Sequence, residues 1–335
     1  MEAAVARFMT MSRAPGVAIA VVEDGQTSWT GGFGVSDLEN PVKVDEHTLF
    51  RLGSISKVFT AVSAMRLTER AQLDLDAPVQ RYCPVFPDKG RPITTRQLLA
   101  HRGGIRHYKS ETPDDPEISN IKSCKNPVQD GLDFFARDPL VAEPGTKFVY
   151  STHGFILLGC VVEGASRGRY AELVRETVFV PAGMSETQLD DRLGIIPRRT
   201  RFYRKSESGA AVLNADPHDS CYKVPSGGWL SSAADMARFA VAILNDQLLQ
   251  RATRSAMWTP VGPGEPGKPI YSLGWRTHID DGIATVGHTG GQQGTTTVLL
   301  MAPSARAGVV VLANMEKVPV LDLAKELLKV GLQKP

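Results

Sequence analysis

Apolar and polar positions divide the 335-residue chain into β-rich ends and a helical middle. "MEAAVARFMTMSRAPG" opens it as a short amphipathic helix. "GVAIAVVEDGQTSWTGGFGV" (16–35) then gives two strand-like runs around Asp24-Gly25, a hairpin signal. Near the C-terminus "YSLGWRTHID", "GIATVGH", "GTTTVLLMAP" and "AGVVVLANM" are strand-like and bounded by Gly, Asp or Pro. A last helix is expected over 318–331. Between the ends, helical spacing marks 55–71, 94–101, 130–137, 152–165, 168–178 and 232–247, the last capped by Ser231-Ser232. A hairpin is expected at 200–214 around Ser206-Glu207-Ser208-Gly209. Residues 109–131 are polar, contain Pro and predict a surface loop.

These elements predict an α/β (α+β) fold. Strands from both ends form one antiparallel sheet, because hairpins pair neighbours, and the first and last helices cover it. The expected division is an α/β domain from 1–75 and 215–335, with a mostly helical domain, 76–214, inserted and the active site between them.

Composition narrows the function little. An apolar content of 42%, a charged content of 22% and a net charge of +2 are those of an ordinary soluble protein. They give no electrostatic argument for nucleic acid or a membrane. The one basic cluster, Arg198, Arg199, Arg201, Arg204 and Lys205, is interleaved with Phe202 and Tyr203 and reads as a solvated strand. The four cysteines, Cys83, Cys124, Cys160 and Cys221, have no metal-ligand spacing. Cys160 sits in the apolar run "FILLGCVV" and reads as core. A reduced compartment fits, with disulfides left open. There is no H-E-x-x-H, and no metal or cofactor is expected. No apolar run is long enough for a membrane span. The N-terminus lacks the basic start and long apolar centre of a signal peptide. The expectation is a soluble protein, cytoplasmic as numbered, or exported or organellar if a leader was removed.

Chemistry enters at "TLFRLGSISKVFTA" (48–61), where Ser54 precedes Lys57 by three places. The same Ser-x-x-Lys spacing recurs at Ser119/Lys122 and Ser220/Lys223, so spacing alone decides nothing. Ser119 lies in the polar loop and Ser220 in irregular chain. Ser54 follows Gly53 and starts a helix with apolar residues nearly all round. There it meets free backbone N–H groups and the positive end of the helix dipole. Lys57 lies on the same face, and burial would favour its neutral amine, a base for the serine proton. The alternative is an ordinary N-cap beside a lysine that reaches outward. Gly164-Ala165-Ser166-Arg167-Gly168 matches the G-x-S-x-G elbow, but the residues before it have helical spacing where the elbow needs a strand.

Two other stretches offer partners. Tyr150, before the helix in "EPGTKFVYSTHGFILLG", could act as acid or base if a neighbouring lysine lowers its pKa. In "VGHTGGQQGTTTVLLMAP", His288-Thr289-Gly290-Gly291 leads into a strand. Its glycines allow close backbone approach, and one strand N–H with that of Ser54 would form an oxyanion hole.

Ser-x-x-Lys, Tyr-x-x and His-Thr-Gly in this order resemble the serine β-lactamase and penicillin-binding-protein superfamily, in its class C β-lactamase, D-alanyl-D-alanine carboxypeptidase and esterase branch. The resemblance runs from "PGVAIAVVEDG" through "LDLDAPVQRY", "ITTRQLLAHRGGIRHY" and "GGWLSSAADMARF" to "GHTGG", nearly the whole chain. "SISK", "YST", "RFY", "MWTPV" and "HTGG" look most like the mitochondrial β-lactamase-like proteins and their bacterial relatives. The resemblance implies a β-lactamase/transpeptidase-like fold with a five-stranded antiparallel sheet. It implies Ser54 as acylated nucleophile, with Lys57 and Tyr150 sharing the proton work. The N–H groups of Ser54 and Gly291 would hold the oxyanion, and Thr152, His288, Thr289 and Gly290 would bind substrate. Thr152 stands where the branch often has Asn, and His288 where it has Lys. Both changes weaken the case for β-lactam turnover.

The expected function is a serine hydrolase that forms an acyl-enzyme on peptide, amide or small ester substrates. A true β-lactamase, a slowly turning-over penicillin-binding sensor and a non-catalytic scaffold are the alternatives. The expected partner is a small molecule or peptide, without nucleic acid; a homo-oligomer is left open. If a charged His288 holds a substrate carboxylate, activity should fall above about pH 7.

Overall fold

A computed structural model describes residues 1–110, 115, 117–263, 269–280 and 282–333. Eight strands form its main sheet: β1 (Gly16–Glu23), β2 (Gln26–Asp37), β3 (Val42–Lys43), β4 (Ile270–Tyr271), β5 (Arg276–Asp280), β6 (Ile283–Gln292), β7 (Thr295–Ala302) and β8 (Ala307–Ala313). The order is β3-β2-β1-β8-β7-β6-β5-β4, antiparallel at every step. The β1–β2 turn falls at Asp24 and Gly25, both with positive φ, as the hairpin signal requires. Pairing of β1 with β8, from Val17↔Ala313 to Val22↔Gly308, joins the two ends of the chain.

The resemblance implied five strands and the sequence showed six strand-like runs, whereas the sheet has eight. The two-residue strands β3 and β4 show no period-2 pattern by which a sequence reading would find them, and the run through Tyr271 to Asp280 splits into β4 and β5.

Alternation along β1 explains the two cores. Val17, Ile19 and Val21 face the terminal helices α1 (Glu2–Ser12) and α5 (Val320–Leu332), with Phe8, Leu323 and Leu327. Ala18, Ala20 and Val22 face the opposite layer, which holds α2 (Ser56–Glu69), α3 (Thr152–Ser166) and α4 (Ala233–Leu244). Helix α2 is buried on nearly every side, as its composition predicts.

Two expectations change, and the rejection of a nucleophile elbow at Ser166 holds. All four cysteines are paired, as Cys83–Cys160 and Cys124–Cys221. The partners lie 77 and 97 residues apart, so spacing carried no sign of them. Ser166 closes helix α3 and its hydroxyl donates to the Glu163 carbonyl, so there is no strand for a nucleophile elbow. The segment 109–131, whose residues 111–114 and 116 lie outside the described ones, is anchored inward. Glu117 is buried against Arg106 (2.7 Å) and His153 (3.3 Å). Burial pushes the Glu117 carboxyl up, but hydrogen bonds from His153 and Arg106 outweigh it and hold the pKa at about 2. The Ile118 carbonyl accepts from Gln293 Nε2 (2.8 Å), beside the end of β6.

Four of the five members of the basic cluster are held in ion pairs: Arg198 with Asp45, Arg199 with Asp190, Arg201 with Asp37 and Arg204 with Asp216. Among the described residues, no helix is long and apolar enough to cross a membrane.

Candidate active site

Ser54 sits in a 3₁₀ turn, Gly53–Ile55, that runs directly into α2. Sheet contacts fix the turn. Thr295 Oγ1 donates to the Arg51 carbonyl (2.9 Å) and Thr297 Oγ1 to the Leu52 carbonyl (2.8 Å). Gly53 has φ +52°, and a Cβ there would lie 2.7 Å from Gly291 N. Glycine is therefore needed twice at this position, for its dihedral and for the closeness of β6. We expect Gly53→Ala to cost about 1–2 kcal/mol of stability from the dihedral alone. By displacing Ser54 it should lower kcat/KM about 100-fold. Thermal unfolding and ester hydrolysis measure the two effects.

Lys57 Nζ and Tyr150 OH each lie 2.9 Å from Ser54 Oγ. Lys57 is fully buried, and its Nζ also donates to the Ser226 carbonyl (2.9 Å). Burial, helped by Arg276, pushes its pKa well below lysine's ordinary value. Burial thus favours the neutral amine, whose lone pair is able to take up a proton from Ser54. Tyr150 departs from expectation. Burial raises its pKa, outweighing the hydrogen bond with Ser54 and the charge of Arg276. A neutral Lys57 does not stabilise phenolate, so Tyr150 stays a proton donor.

These groups open on a cavity of about 410 Å³. Its walls include Ser54, Tyr150, Thr152, Ser226, Gly227 and Gly291. Gly291 faces open space, whereas a Cβ on Gly290 would lie 2.0 Å from the Leu52 carbonyl oxygen. Gly290 therefore seats the nucleophile's turn.

His288 does not line the cavity, and neither do Thr289 and Gly290. The His288 ring is buried. The Thr289 carbonyl, 2.6 Å from Nδ1, can only accept, so Nδ1 carries the proton and Nε2 accepts from Tyr271 OH (2.9 Å). Burial first, then Arg276 and Lys57, push its pKa well below the ordinary value. The expected part-charged carboxylate ligand is a neutral core histidine that ties β6 to β4.

Sequence reasoning passed over four contributors. His101 packs against Tyr150 (ring centroids 4.3 Å apart) and accepts the Ser151 N–H at Nδ1 (3.1 Å). His107 accepts the Thr152 N–H (3.3 Å). Ser119, assigned to a solvent loop, lines the cavity, but its hydroxyl is spent on the Asp115 carbonyl (3.0 Å). Lys223 also lines the cavity. Only its backbone N–H reaches Ser220, at the carbonyl (3.0 Å), so that Ser-x-x-Lys is no second pair. "LLAHRGGIRHY" was a signal for the two histidines; Ser119 and Lys223 were marked only by Ser-x-x-Lys spacings that suggested a different role.

A serine between a buried lysine and a buried tyrosine, on a helix start against an antiparallel sheet, is an arrangement capable of nucleophilic acyl transfer. The family profile described as Beta-lactamase matches residues 1–331. The chain belongs to the β-lactamase family of serine hydrolases. It is 30% identical over 383 residues to the human mitochondrial serine beta-lactamase-like protein LACTB, an alignment that covers 87% of this chain and 69% of that one. It is 28% identical over 314 residues to penicillin-binding protein 4* of Bacillus subtilis, covering 89% and 68%. Among solved structures, the octameric penicillin-binding protein homologue from Pyrococcus abyssi superposes with a TM-score of 0.85 at 26% identity, over 99% of this chain and 77% of that one.

Proposed function

We propose that the protein hydrolyses amide, peptide or small ester bonds through an acyl-enzyme on Ser54. The observation that carries this is the pair of 2.9 Å contacts to Ser54 Oγ from an amine held neutral and a phenol held protonated. In this reading Lys57 Nζ takes the Ser54 proton as Oγ attacks the carbonyl carbon. The N–H groups of Ser54 and Gly291 receive the charge that develops on the carbonyl oxygen. Tyr150 gives its proton to the leaving atom as the carbonyl–leaving-group bond breaks, and the Lys57 ammonium restores the phenol. Water then attacks the acyl carbon while Lys57 accepts its proton; the acyl carbon–Oγ bond breaks and the Lys57 ammonium returns that proton to Oγ, which frees Ser54.

A panel of a chromogenic cephalosporin, short-chain nitrophenyl esters and D-alanyl peptides tests the reading. Steady hydrolysis of esters or peptides that exceeds cephalosporin turnover is expected. A burst with no steady release from any of them contradicts it. The pH dependence follows from Lys57. A general base acts unprotonated, so with a neutral ester kcat/KM rises with pH as Lys57 loses its proton, well below the ordinary 10.5. His288 is already neutral and adds no fall through about pH 6.5. A profile that rises only near lysine's ordinary value, or declines through that neutral range, contradicts this assignment.

A further inference from the structure

Lys223 is a buried cation of the cavity wall that this mechanism leaves without a task. Only 4% of it is exposed, yet it forms part of the cavity wall that also holds Ser54. Its Nζ lies 3.5 Å from Tyr108 OH, and 5.8 and 5.6 Å from the Tyr108 and Tyr222 ring centroids. Among the described residues, the carboxylates around it are engaged elsewhere. Asp190 is bound by Arg51 (2.6 Å) and Arg199 (3.5 Å), Asp216 by Arg204 (3.5 Å) and Asp219 by Arg192 (3.6 Å). Glu117 holds Arg106, and Glu316 accepts the Gly294 N–H (2.8 Å).

A buried ammonium with two aromatic rings and no carboxylate partner is costly unless an anion joins it. The position is also built rather than incidental. The Cys124–Cys221 bridge fixes the chain two residues before Lys223, and the Ser226 hydroxyl caps the Lys223 carbonyl (3.0 Å). Burial first, with the charge of Arg51 adding to it, lowers its pKa to about 7, while Asp190 opposes them. An anion in the cavity would stabilise the charged form.

We propose that Lys223 is the counter-charge for a carboxylate carried by the substrate, so that anionic acyl-transfer substrates are the preferred class at this site. This rests on the serine-hydrolase reading above and specifies its substrate.

Two matched ester pairs test it. The first is the 4-nitrophenyl esters of 4-carboxyphenylacetic and 4-methylphenylacetic acids, with the charge on the acyl half. The second is 3-carboxy-4-nitrophenyl and 3-methyl-4-nitrophenyl phenylacetates, with the charge on the leaving half. The expected result is a kcat/KM preference of about 10- to 100-fold for the carboxylate in at least one pair, as a hydrogen bond to a charged group would give. Lys223→Met should collapse that ratio. No preference in either pair, or a preference that survives Lys223→Met, overturns the proposal.

If that variant misfolds, the wild-type protein alone decides. The preference must fade as pH rises above about 7 and Lys223 is neutralised, since the substrate carboxylate stays ionised. A preference constant to high pH overturns it. Of the other titratable groups facing Lys223, Lys57, His107 and His218 are held neutral by burial, and Tyr108 and Tyr222 are held protonated.

Failure of the serine-hydrolase reading has a different signature, no Ser54-dependent turnover of any of the four esters. Calorimetric titration of the Ser54→Ala protein with 4-carboxyphenylacetamide and 4-methylphenylacetamide then still judges Lys223. At least about 10-fold tighter binding of the carboxylate supports the proposal, and equal binding rejects it.

Discussion

Ser54→Ala is expected to lower kcat/KM on 4-nitrophenyl butyrate by at least about 10⁴-fold, to the level set by positioning and oxyanion contacts alone. No neighbouring hydroxyl is placed to substitute. Ser56 Oγ is buried without a partner, Ser226 Oγ is committed to the Lys223 carbonyl, and Ser119 Oγ to that of Asp115. The variant should fold normally, because Ser54 Oγ is bonded only to Lys57 and Tyr150, and an alanine methyl fills part of its space. Near-wild-type hydrolysis by the purified variant, checked by its circular dichroism, would remove Ser54 from the mechanism.

Lys57→Met should lose about 10³- to 10⁴-fold in the same assay, the range for removal of a general base. Its stability should move the other way. In the folded protein the Lys57 pKa lies well below its unfolded value, so the unfolded chain binds the extra proton at neutral pH. Folding therefore releases that proton, and the penalty shrinks as pH rises toward 10.5. Methionine has similar length and nothing to desolvate. The variant is expected to melt no lower than wild type at pH 7, and its advantage should narrow at higher pH. A variant that is inactive but also much less stable would mean that the amine is structural.

What the chain disclosed about itself follows from how local each signal is. Ser54 was legible because Gly53, the hydroxyl and the apolar α2 pattern are contiguous, and burial of Lys57 follows from a helix apolar all round. Tyr150 was legible as a candidate but not in its state. Its raised pKa comes from burial, with the rings of His101 and Tyr271 packed against it and the charge of Arg276 opposing, and these residues lie far apart in sequence. His288 was misread for a related reason. Its partner Tyr271 sits on a two-residue edge strand that no pattern reveals, so the sequence left the ring facing substrate when it faces the core. Lys223 was set aside as lying in irregular chain. It is buried against Tyr108, far off in sequence, and Tyr222, on a segment tied to residues 117 and 124 by a hydrogen bond and a disulfide.

The central claim is that Ser54 is the residue acylated. The most direct measurement is to react the protein with a fluorophosphonate, digest it, and locate the adduct by mass spectrometry. The account predicts one modified peptide carrying Ser54, no adduct on Ser119, Ser220 or Ser226, and labelling that disappears in Ser54→Ala and slows sharply in Lys57→Met. An adduct on another serine, or unchanged labelling of Ser54→Ala, would contradict it.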